Sequence, residues 1–363
     1  MRIAITGTRG IPNNYGGFEE FAENLSAGLA GLGNNVWVYN SFSHSFQENN
    51  HQGVGIIRKS ALKGYLEASG NYLYDLKCIK DAIRREADVI LECGYATAAP
   101  WYPYLPRRGT KLVTHMDGME WQREKWGVIT KKVIRRTEST AVRYSDAIVC
   151  DHPVIAKYYK EKYSVEASMI PFGADIRQNW DEGILEGFGI NPGCYYLIVA
   201  RLEPENKIQM IIDGFLASPV QEPLLIVGDY SRKYGKKMYR QYGKDKRLKF
   251  LGGIFDSEKL DHLRHYSIAS FHGHSVGGTN PSLLEAMAAG TLIFAHDNPY
   301  NKWVLGENAG YFRSAAEVTD CIKDLGKLDR DKFIGNNLVR TRADFQWDSV
   351  VKQYEELFNS LVG

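Results

Sequence analysis

Residues 2–33 read RIAITGTRGIPNNYGGFEEFAENLSAGLAGLG and combine three structural signals. An apolar run at Arg2–Thr6 predicts a buried strand, and the glycine-rich stretch after it predicts a loop. A helix is then indicated by apolar residues that recur on one face, namely Phe18, Phe21, Ala22, Leu25, Leu29 and Leu32. Gly33 stands where helices commonly end in a left-handed glycine. Strand, loop and helix in this order are typical of an α/β fold with a parallel sheet.

The same alternation continues along the chain. Apolar runs that predict further strands span residues 36–40, 54–59, 88–92, 111–115, 147–151, 195–200, 224–228, 249–252, 268–272 and 292–295. Most of them lack polar alternation, as strands covered by helices on both faces do. Residues 174–193 lack a clear period, so we place a domain boundary there. We therefore expect two Rossmann-like, doubly wound α/β domains at residues 1–175 and 176–343, and a terminal helix within residues 344–363.

Composition narrows the class of protein. The chain has 363 residues and a formal net charge of +2, so nothing marks it as a nucleic-acid binder. Its five cysteines form no CxxC pair, which favours a reducing compartment. No apolar run approaches the ~18 residues that span a bilayer, and glycines interrupt the opening run too early for a signal peptide. We expect a cytoplasmic protein that is soluble or attached to a membrane surface.

Two motifs in the first half are candidates for ligand contact. The glycine loop, residues 6–19, contains Gly16 and Gly17 just before the predicted helix, where backbone N–H groups are open to a ligand. It lacks the GxGxxG spacing of dinucleotide-binding folds, and the alternative is a tight turn. Residues 113–121 read VTHMDGMEW and place His115, Asp117 and Glu120 at the end of an apolar strand. Here the alternative is a hydrogen-bonded core histidine and an aspartate that caps a helix.

The second half carries a candidate diphosphate site. Residues 200–207 read ARLEPENK, with Arg201 directly after a strand and Lys207 at the start of the next helix. Two cations beside a helix N-terminus suit a diphosphate. The alternative is a solvated loop in which Glu203 or Glu205 pairs with these cations.

Residues 272–290 read HGHSVGGTNPSLLEAMAAG and form the strongest motif. Thr279 or Asn280 can cap a helix, proline suits the first helical position, and the N–H groups from Gly278 onward would converge on an anion. Glu285, one turn into that helix, would repel a diphosphate, so it is expected to accept hydrogen bonds from ribose hydroxyls. The alternative for Glu285 is a partner of the helix dipole.

No metal is expected. His272 and His274 stand two apart on a strand, but the sequence offers no third ligand nearby. The acidic tripeptide at residues 329–331 lies in a charged stretch that we interpret as solvated surface.

These motifs, in this order, resemble the retaining GT-B glycosyltransferases of family GT4. The GTRGIP and YGGFE segments resemble a bacterial rhamnosyltransferase-like subgroup within it. The resemblance implies a GT-B fold, in which two Rossmann-like domains face a cleft and the C-terminal helix crosses back to the N-terminal domain. It also implies a nucleotide sugar as co-substrate, a glycan or lipid-linked saccharide as acceptor, a role in surface polysaccharide synthesis, and no divalent metal.

The resemblance assigns roles to individual residues. Arg201 corresponds to the family's arginine that binds the donor diphosphate, and Lys207 lies one position after that of the family's second cation. His115 lies where the family has a histidine near the reacting sugar. The positions that correspond to donor-binding residues are Gly16 and Gly17 of the mobile glycine loop, Gly278, Thr279 and Asn280 of the phosphate loop, and Glu285 at the ribose.

Three positions depart from the family pattern. Gly277 replaces the first glutamate of the ExxxxxxxE motif, Asn206 stands where the second cation is expected, and Phe172 replaces an asparagine at the hinge. A glycine at 277 favours a donor such as dTDP-L-rhamnose over a glucose-like donor. In the alternative, Gly277 serves the turn alone and sugar contacts come from His274, Ser275 or the N-terminal domain.

We therefore expect a retaining glycosyltransferase. A nucleotide-sugar epimerase on the same fold and an inactive nucleotide-sugar-binding module are the alternatives. A basic segment at residues 123–136, in which tryptophan, valine and isoleucine alternate with lysine and arginine, predicts peripheral contact with anionic lipid. Its alternative is a solvated helix whose other face packs in the core.

Overall fold

The computed structural model describes residues 1–14, 16–60, 67–116, 118–123 and 126–363. Tyr15, Asp117 and Lys125, which belong to motifs named above, lie outside the described residues. The chain forms two compact units. Unit 1 comprises Met1–Phe172 and Trp347–Gly363, and unit 2 comprises Gly173–Gln346.

Unit 1 contains an eight-stranded sheet. Its strands are β1 (Arg2–Thr6), β2 (Asn35–Ser41), β3 (Asn50–His51), β4 (Val54–Lys59), β5 (Val89–Cys93), β6 (Lys111–His115), β7 (Ala147–Cys150) and β8 (Ser168–Met169). The order is β3-β4-β2-β1-β5-β6-β7-β8, with β3 antiparallel to β4 and the other neighbours parallel. The strand order reverses between β1 and β5, which is where open α/β sheets leave a crevice for ligands.

The helices of unit 1 cover this sheet. They are α1 (Gly17–Gly31), α2 (Glu67–Arg84), α3 (Val128–Tyr144), α4 (Pro153–Tyr163) and α12 (Trp347–Val362), with 3-10 turns at Ala99–Tyr104 and Glu120–Gln122. The predicted end of the first helix is confirmed, since Leu32 is its C-cap and Gly33 follows with φ of +86°.

The C-terminal helix α12 packs against α1 inside unit 1. A Cβ atom added to Gly28 of α1 would lie 2.4 Å from a methyl group of Val351, so the two helices approach closely at a glycine. Asn34 donates to Glu355 at 3.0 Å, and the rings of Phe21 and Tyr354 lie 5.5 Å apart. The predicted return of the terminal helix to the N-terminal domain is confirmed.

Unit 2 contains a six-stranded sheet that is parallel throughout. Its strands are β9 (Tyr196–Val199), β10 (Leu224–Val227), β11 (Leu248–Gly252), β12 (Ser270–His272), β13 (Ile293–His296) and β14 (Gly310–Phe312). The order β11-β10-β9-β12-β13-β14 is that of a Rossmann fold and reverses between β9 and β12.

Helices also cover the sheet of unit 2. They are α5 (Ile208–Ala217), α6 (Lys233–Tyr242), α7 (Ser257–His265), α8 (Pro281–Ala288), α9 (Pro299–Leu305), α10 (Ala315–Lys323) and α11 (Arg330–Arg340). Shorter 3-10 turns occupy Glu182–Phe188, Pro204–Asn206 and Leu325–Lys327, and a π turn occupies Thr341–Phe345.

The central strand β9 of unit 2 is buried on both faces. Along β9, Tyr196 and Ile198 belong to one hydrophobic cluster, and Leu197 belongs to a second cluster. This explains why the strands show continuous apolar runs in place of polar alternation. The expected architecture of two Rossmann-like parallel sheets is therefore confirmed.

Candidate functional site

Two loops of unit 2 meet at the carboxyl edge of its sheet, where the strand order reverses. One follows β9 and the other follows β12. Ser275 donates from both its backbone N and its Oγ to the carbonyl oxygen of Glu205, at 3.0 and 2.8 Å. A Cβ atom at Gly273 would lie only 2.1 Å from the carbonyl oxygen of Asn206. The two predicted phosphate-site loops therefore pack directly on each other, and only a glycine fits at position 273.

The helix that follows the second loop begins at the same edge. Asn280 is the N-cap of α8, and its side chain accepts a hydrogen bond from the backbone N of Ser282 at 3.0 Å. Pro281 occupies the first turn, as predicted. The positive end of the helix dipole thus lies beside the loop that contains Gly278 and Thr279, an arrangement suited to an anion.

Glu285 forms an ion pair that the sequence did not predict. The guanidinium of Arg264, on α7, donates to the Glu285 carboxylate and also to Ser282 Oγ at 3.2 Å. Arg264 is almost fully buried, while the Glu285 side chain keeps 17% of its surface exposed. Asp261 pairs with the same guanidinium at 3.2 Å. A buried cation therefore fixes one side of a carboxylate that remains accessible from the other.

The two predicted diphosphate cations lie on the first loop but in different settings. Arg201 is exposed, and its backbone carbonyl accepts a hydrogen bond from Asn206 Nδ2 at 2.7 Å. Lys207 has φ of +48° and precedes α5 as its N-cap. Burial lowers the pKa of His296, at the end of β13, and the charge of Lys207 lowers it further. The positive charge of Lys207 therefore acts on the edge of the sheet where β13 ends.

His272 stands at the end of β12 inside this site. Burial lowers its pKa to about 3, and the charges of Arg264 and His296 act in the same direction. Its Nε2 atom has no hydrogen-bond partner among the residues that the structure describes. The imidazole is therefore neutral over the physiological range.

The described parts of the chain hold no group of three or more His, Cys, Asp and Glu side chains arranged for a metal ion. Asp329, the first residue of the acidic tripeptide, is the N-cap of α11 and accepts from the backbone N of Lys332 at 3.1 Å. This carboxylate therefore has a structural role at a helix terminus.

In unit 1 the glycine loop lies on the carboxyl edge of the first sheet. Gly7 has φ of +80°, and a Cβ atom there would lie 2.4 Å from Glu92 Oε1. The Asn40 side chain forms two hydrogen bonds with the backbone of Ile11. It donates to the carbonyl oxygen at 2.7 Å and accepts from the N–H at 3.0 Å. Gly16 is the N-cap of α1 and Gly17 begins the helix. The loop is thus held by polar side chains from β2 and β5.

Glu92 is buried beneath that loop. It accepts a hydrogen bond from Thr6 Oγ1 at 2.6 Å, and burial raises its pKa well above the usual range of a glutamate. Asp75, on α2, raises it further, and burial raises the pKa of Asp75 itself to about 7. This pair was not predicted from the sequence, although a glutamate inside an apolar strand was a usable signal.

His115 lies at the end of β6 with no exposed surface. Its ring contacts those of Phe18, Phe21 and Phe172, with centroids 5.2, 5.4 and 5.3 Å away. Burial lowers its pKa to about 3, so the imidazole is neutral. Phe172, the departure at the hinge, belongs to this aromatic cluster.

The predicted residues therefore divide between the units. Arg201, Lys207, Gly278–Asn280 and Glu285 cluster at one edge of the unit 2 sheet. Gly16, Gly17 and His115 belong to unit 1. Arg264 and Asn206 add contacts to the unit 2 cluster that sequence spacing did not reveal.

Comparisons with known proteins agree with this division. Residues 186–337 match the family model described as glycosyl transferases group 1, and residues 1–175 match a domain of unknown function, DUF1972. Among curated proteins no significant match was found.

Solved structures of similar fold cover nearly the whole chain. A sucrose-phosphate synthase from Thermosynechococcus elongatus has a TM-score of 0.83 at 16% identity, over 99% of this chain and 98% of the other. HepE from Anabaena in complex with UDP-glucose gives 0.76 at 16% identity, over 99% of each chain. Starch synthase IV from Arabidopsis thaliana, bound to ADP and acarbose, gives 0.76 at 11% identity, over 99% of each chain. The chain therefore has the GT-B fold.

Proposed function

We propose that this glycosyltransferase, whose residues 186–337 match the group 1 family, is a retaining enzyme that uses a nucleotide diphosphate sugar. The proposed donor is dTDP-L-rhamnose, and the proposed acceptor is a glycan or lipid-linked saccharide in surface polysaccharide synthesis. One observation carries the proposal. The β9 loop, the β12 loop and the N-terminus of α8 meet where the unit 2 sheet reverses its strand order.

The proposed chemistry depends on stabilising the leaving diphosphate. The bond between the anomeric carbon and the phosphate oxygen breaks, and the acceptor oxygen bonds to the same face of that carbon. The acceptor proton passes to the leaving phosphate. Arg201, Lys207 and the N-terminus of α8 neutralise the charge that develops on the diphosphate. Protein cations thus fill the role that a divalent metal has in other transferases.

The nucleoside half of the donor is assigned to Glu285. Its carboxylate is fixed by Arg264 on one side and exposed on the other. The nucleoside sugar donates hydrogen bonds from its hydroxyls, and in a dTDP donor the deoxyribose keeps the 3′-hydroxyl for this purpose. An ionised carboxylate is a strong acceptor for that hydrogen bond. The pairing with a buried cation keeps this carboxylate in place before the nucleotide arrives.

In unit 1, Gly16 and Gly17 are assigned to a loop that adjusts when the donor binds, and His115 to contact with the transferred sugar. His115 is covered by Phe18, which directly follows the two glycines. A shift at these glycines would therefore move one of the three rings that contact the imidazole. Its neutral ring could then exchange a hydrogen bond with a sugar hydroxyl.

Gly277 supports the rhamnose assignment. A glycine offers no side chain to bind the hydroxyls of a glucose-like or mannose-like donor. A 6-deoxy sugar of the opposite configuration presents its hydroxyls in other directions, so it loses less from the absence of that side chain.

The test is kcat/KM for dTDP-L-rhamnose, UDP-glucose, UDP-galactose, UDP-N-acetylglucosamine and GDP-mannose with a lipid-linked or synthetic saccharide acceptor. A preference for the rhamnose donor is expected. Preference for another donor would overturn the donor assignment and leave transfer intact. Conversion of the sugar nucleotide without acceptor would indicate an epimerase, and binding without turnover would indicate an inactive module.

The surface of α3 is suited to contact with the membrane that would hold a lipid-linked acceptor. No helix among the described residues is both long and apolar enough to cross a bilayer. However, Val128, Ile129 and Val133 on α3 are 73, 80 and 42% exposed, although they are apolar. Exposed Lys132 and Arg136 lie on the same helix. We propose that this helix rests on anionic lipid at the inner face of the membrane.

A further inference from the structure

His274 connects the two positions at which the phosphate site departs from the family pattern. Asn206, in the β9 loop, places its Oδ1 atom 2.7 Å from His274 Nδ1. Gly277 lies three residues after His274 in the β12 loop. A Cβ atom at Gly277 would lie 3.0 Å from His274 Nε2. One imidazole therefore touches the asparagine with one nitrogen and occupies the space beside the glycine with the other.

The contact with Asn206 determines which nitrogen of the ring carries hydrogen. Asn206 Nδ2 donates to the carbonyl oxygen of Arg201 at 2.7 Å, which fixes the orientation of the amide. The atom that faces His274 is then a carbonyl oxygen, which only accepts. His274 Nδ1 must therefore be the donor, and in the neutral ring Nε2 is an acceptor.

The backbone around His274 is held from two sides. Asn298 and Asn301, after β13, both donate to the His274 carbonyl, at 3.0 and 3.1 Å. Ser275 is fixed to the β9 loop through the Glu205 carbonyl. With its backbone held in this way and its ring bonded to Asn206, the His274 side chain has lost much of its freedom before a ligand binds, as a specific site requires.

The φ of Gly277 is +129°, a region that side chains rarely adopt. A larger residue at 277 would be strained and would also press on the His274 ring. Gly277 and His274 are therefore matched, since the glycine leaves room for a ring whose Nε2 lies 3.0 Å from where a Cβ atom would be.

We propose that His274 determines donor-sugar specificity, with Nε2 accepting a hydrogen bond from a hydroxyl of the transferred sugar. Asn206 is the positioning residue that holds the ring in this form. The histidine thus offers the transferred sugar an uncharged acceptor, where a glutamate at 277 would offer a charged one. This inference rests on the proposed function, because it names the sugar contact of that same site.

The test compares the Kd of each sugar nucleotide in the panel above with the Kd of its free nucleoside diphosphate. The ratio of the two isolates the sugar contribution. His274→Ala should weaken binding of the preferred sugar nucleotide about tenfold, equivalent to one hydrogen bond, and leave the free diphosphate nearly unchanged. His274→Gln, which retains an acceptor, should recover part of the ratio. His51→Gln is the matched control, because His51 is a histidine of unit 1 whose side chain is 19% exposed.

The positioning role of Asn206 has its own readout. Asn206→Ala should reduce the same ratio, and the double variant with His274→Ala should lose no more than His274→Ala alone. Asn206→Asp places a carboxylate on Nδ1 and favours the imidazolium, in which Nε2 carries hydrogen. Its ratio should therefore fall at mildly acidic pH and return in alkaline buffer, while the wild-type ratio stays flat above neutrality.

The outcomes distinguish failure of the proposed function from failure of the His274 assignment. A wild-type protein that binds no sugar nucleotide would contradict the proposed function and this inference with it. Wild-type binding combined with an unchanged ratio in His274→Ala would contradict the His274 assignment alone. Equal weakening of the sugar nucleotide and the free diphosphate would do the same, because it would assign His274 to the phosphates.

Discussion

Arg264 and Glu285, on neighbouring helices of unit 2, form an ion pair beside the proposed ribose site, in which the arginine is buried and the carboxylate is partly exposed. Removal of the Arg264 guanidinium deprives two carboxylates, Glu285 and Asp261, of this ion-pair partner. Arg264→Met should therefore lower the free energy of unfolding by roughly 3–5 kcal/mol, as loss of one buried partner does. Glu285→Gln should cost less stability but weaken nucleotide binding about tenfold, because a charged acceptor is lost.

Denaturant unfolding and calorimetric titration with nucleoside diphosphates check both variants. Arg247→Met is the control for Arg264→Met, since Arg247 binds the carbonyls of Leu216, Ser218 and Val220 away from any carboxylate of the proposed site. Nucleotide affinity that is unchanged in Glu285→Gln would argue against the ribose role.

Arg201→Ala should lower kcat by about 10²–10³ while the fold persists, because the lost charge acts mainly on the leaving diphosphate in the transition state. Arg201 is exposed, so truncation costs little packing. Steady-state kinetics at saturating donor provide the measurement. Arg232→Ala, at a side chain 60% exposed, is the control. Turnover near the wild-type value in Arg201→Ala would assign the leaving-group charge elsewhere.

Much of the fold could be predicted because the buried strands carry continuous apolar runs. Most predicted strands agree with the structure to within one or two residues. The strands β3, β8 and β14 were missed because each has only two or three residues and lies outside the apolar runs. The terminal helix was predicted from residue 344 but begins at Trp347, since Thr341–Phe345 forms a π turn first.

The site was less predictable. Helix capping by Asn280 follows from local sequence, because cap and helix are adjacent. The pair of Arg264 and Glu285 joins residues 21 apart, and the bond between Asn206 and His274 spans 68. Such contacts depend on which strands are neighbours in the sheet. Local patterns therefore identified which loops belong to the candidate site but not how their side chains pair.

Activity should survive EDTA, because Arg201, Lys207 and the α8 N-terminus are proposed to neutralise the leaving group without a divalent ion. The measurement is sugar transfer after dialysis against EDTA, compared with the same sample supplemented with Mg²⁺ or Mn²⁺. Activity that is lost in EDTA and restored by either ion would contradict this prediction.

The buried carboxyl of Asp75 should make stability depend on pH. Burial raises its pKa to about 7 from 3.8, so the folded state holds a proton that the unfolded state releases. Its contribution to stability is therefore complete below about pH 4 and is lost as the pH rises towards 7. Asp75→Asn should gain stability relative to wild type across that interval, measured as Tm in buffers of increasing pH.

Asp81, on the same helix, is the matched control. Burial raises its pKa, but hydrogen bonds from Lys59 and Arg85 outweigh this effect and lower the pKa to about 2. Asp81→Asn should therefore be less stable than wild type by a constant amount above about pH 4. A difference between Asp75→Asn and wild type that did not change with pH would mean that Asp75 is ionised without cost.

Binding of α3 to anionic lipid should require both its apolar and its basic residues. Val128→Asp combined with Ile129→Asp should abolish recovery with anionic vesicles in flotation, because the two most exposed apolar side chains of the helix would become charged. Lys132→Glu with Arg136→Glu should weaken membrane binding by about 1 kcal/mol for each basic residue lost near the surface. The remaining binding should depend less on salt concentration. Val339→Asp, at an apolar residue of unit 2 that is 63% exposed, is the control and should bind like wild type. Equal recovery of the wild type with neutral and anionic vesicles would show that anionic lipid is not the partner of this helix. In that case the α3 variants should transfer sugar to a water-soluble acceptor at the wild-type rate.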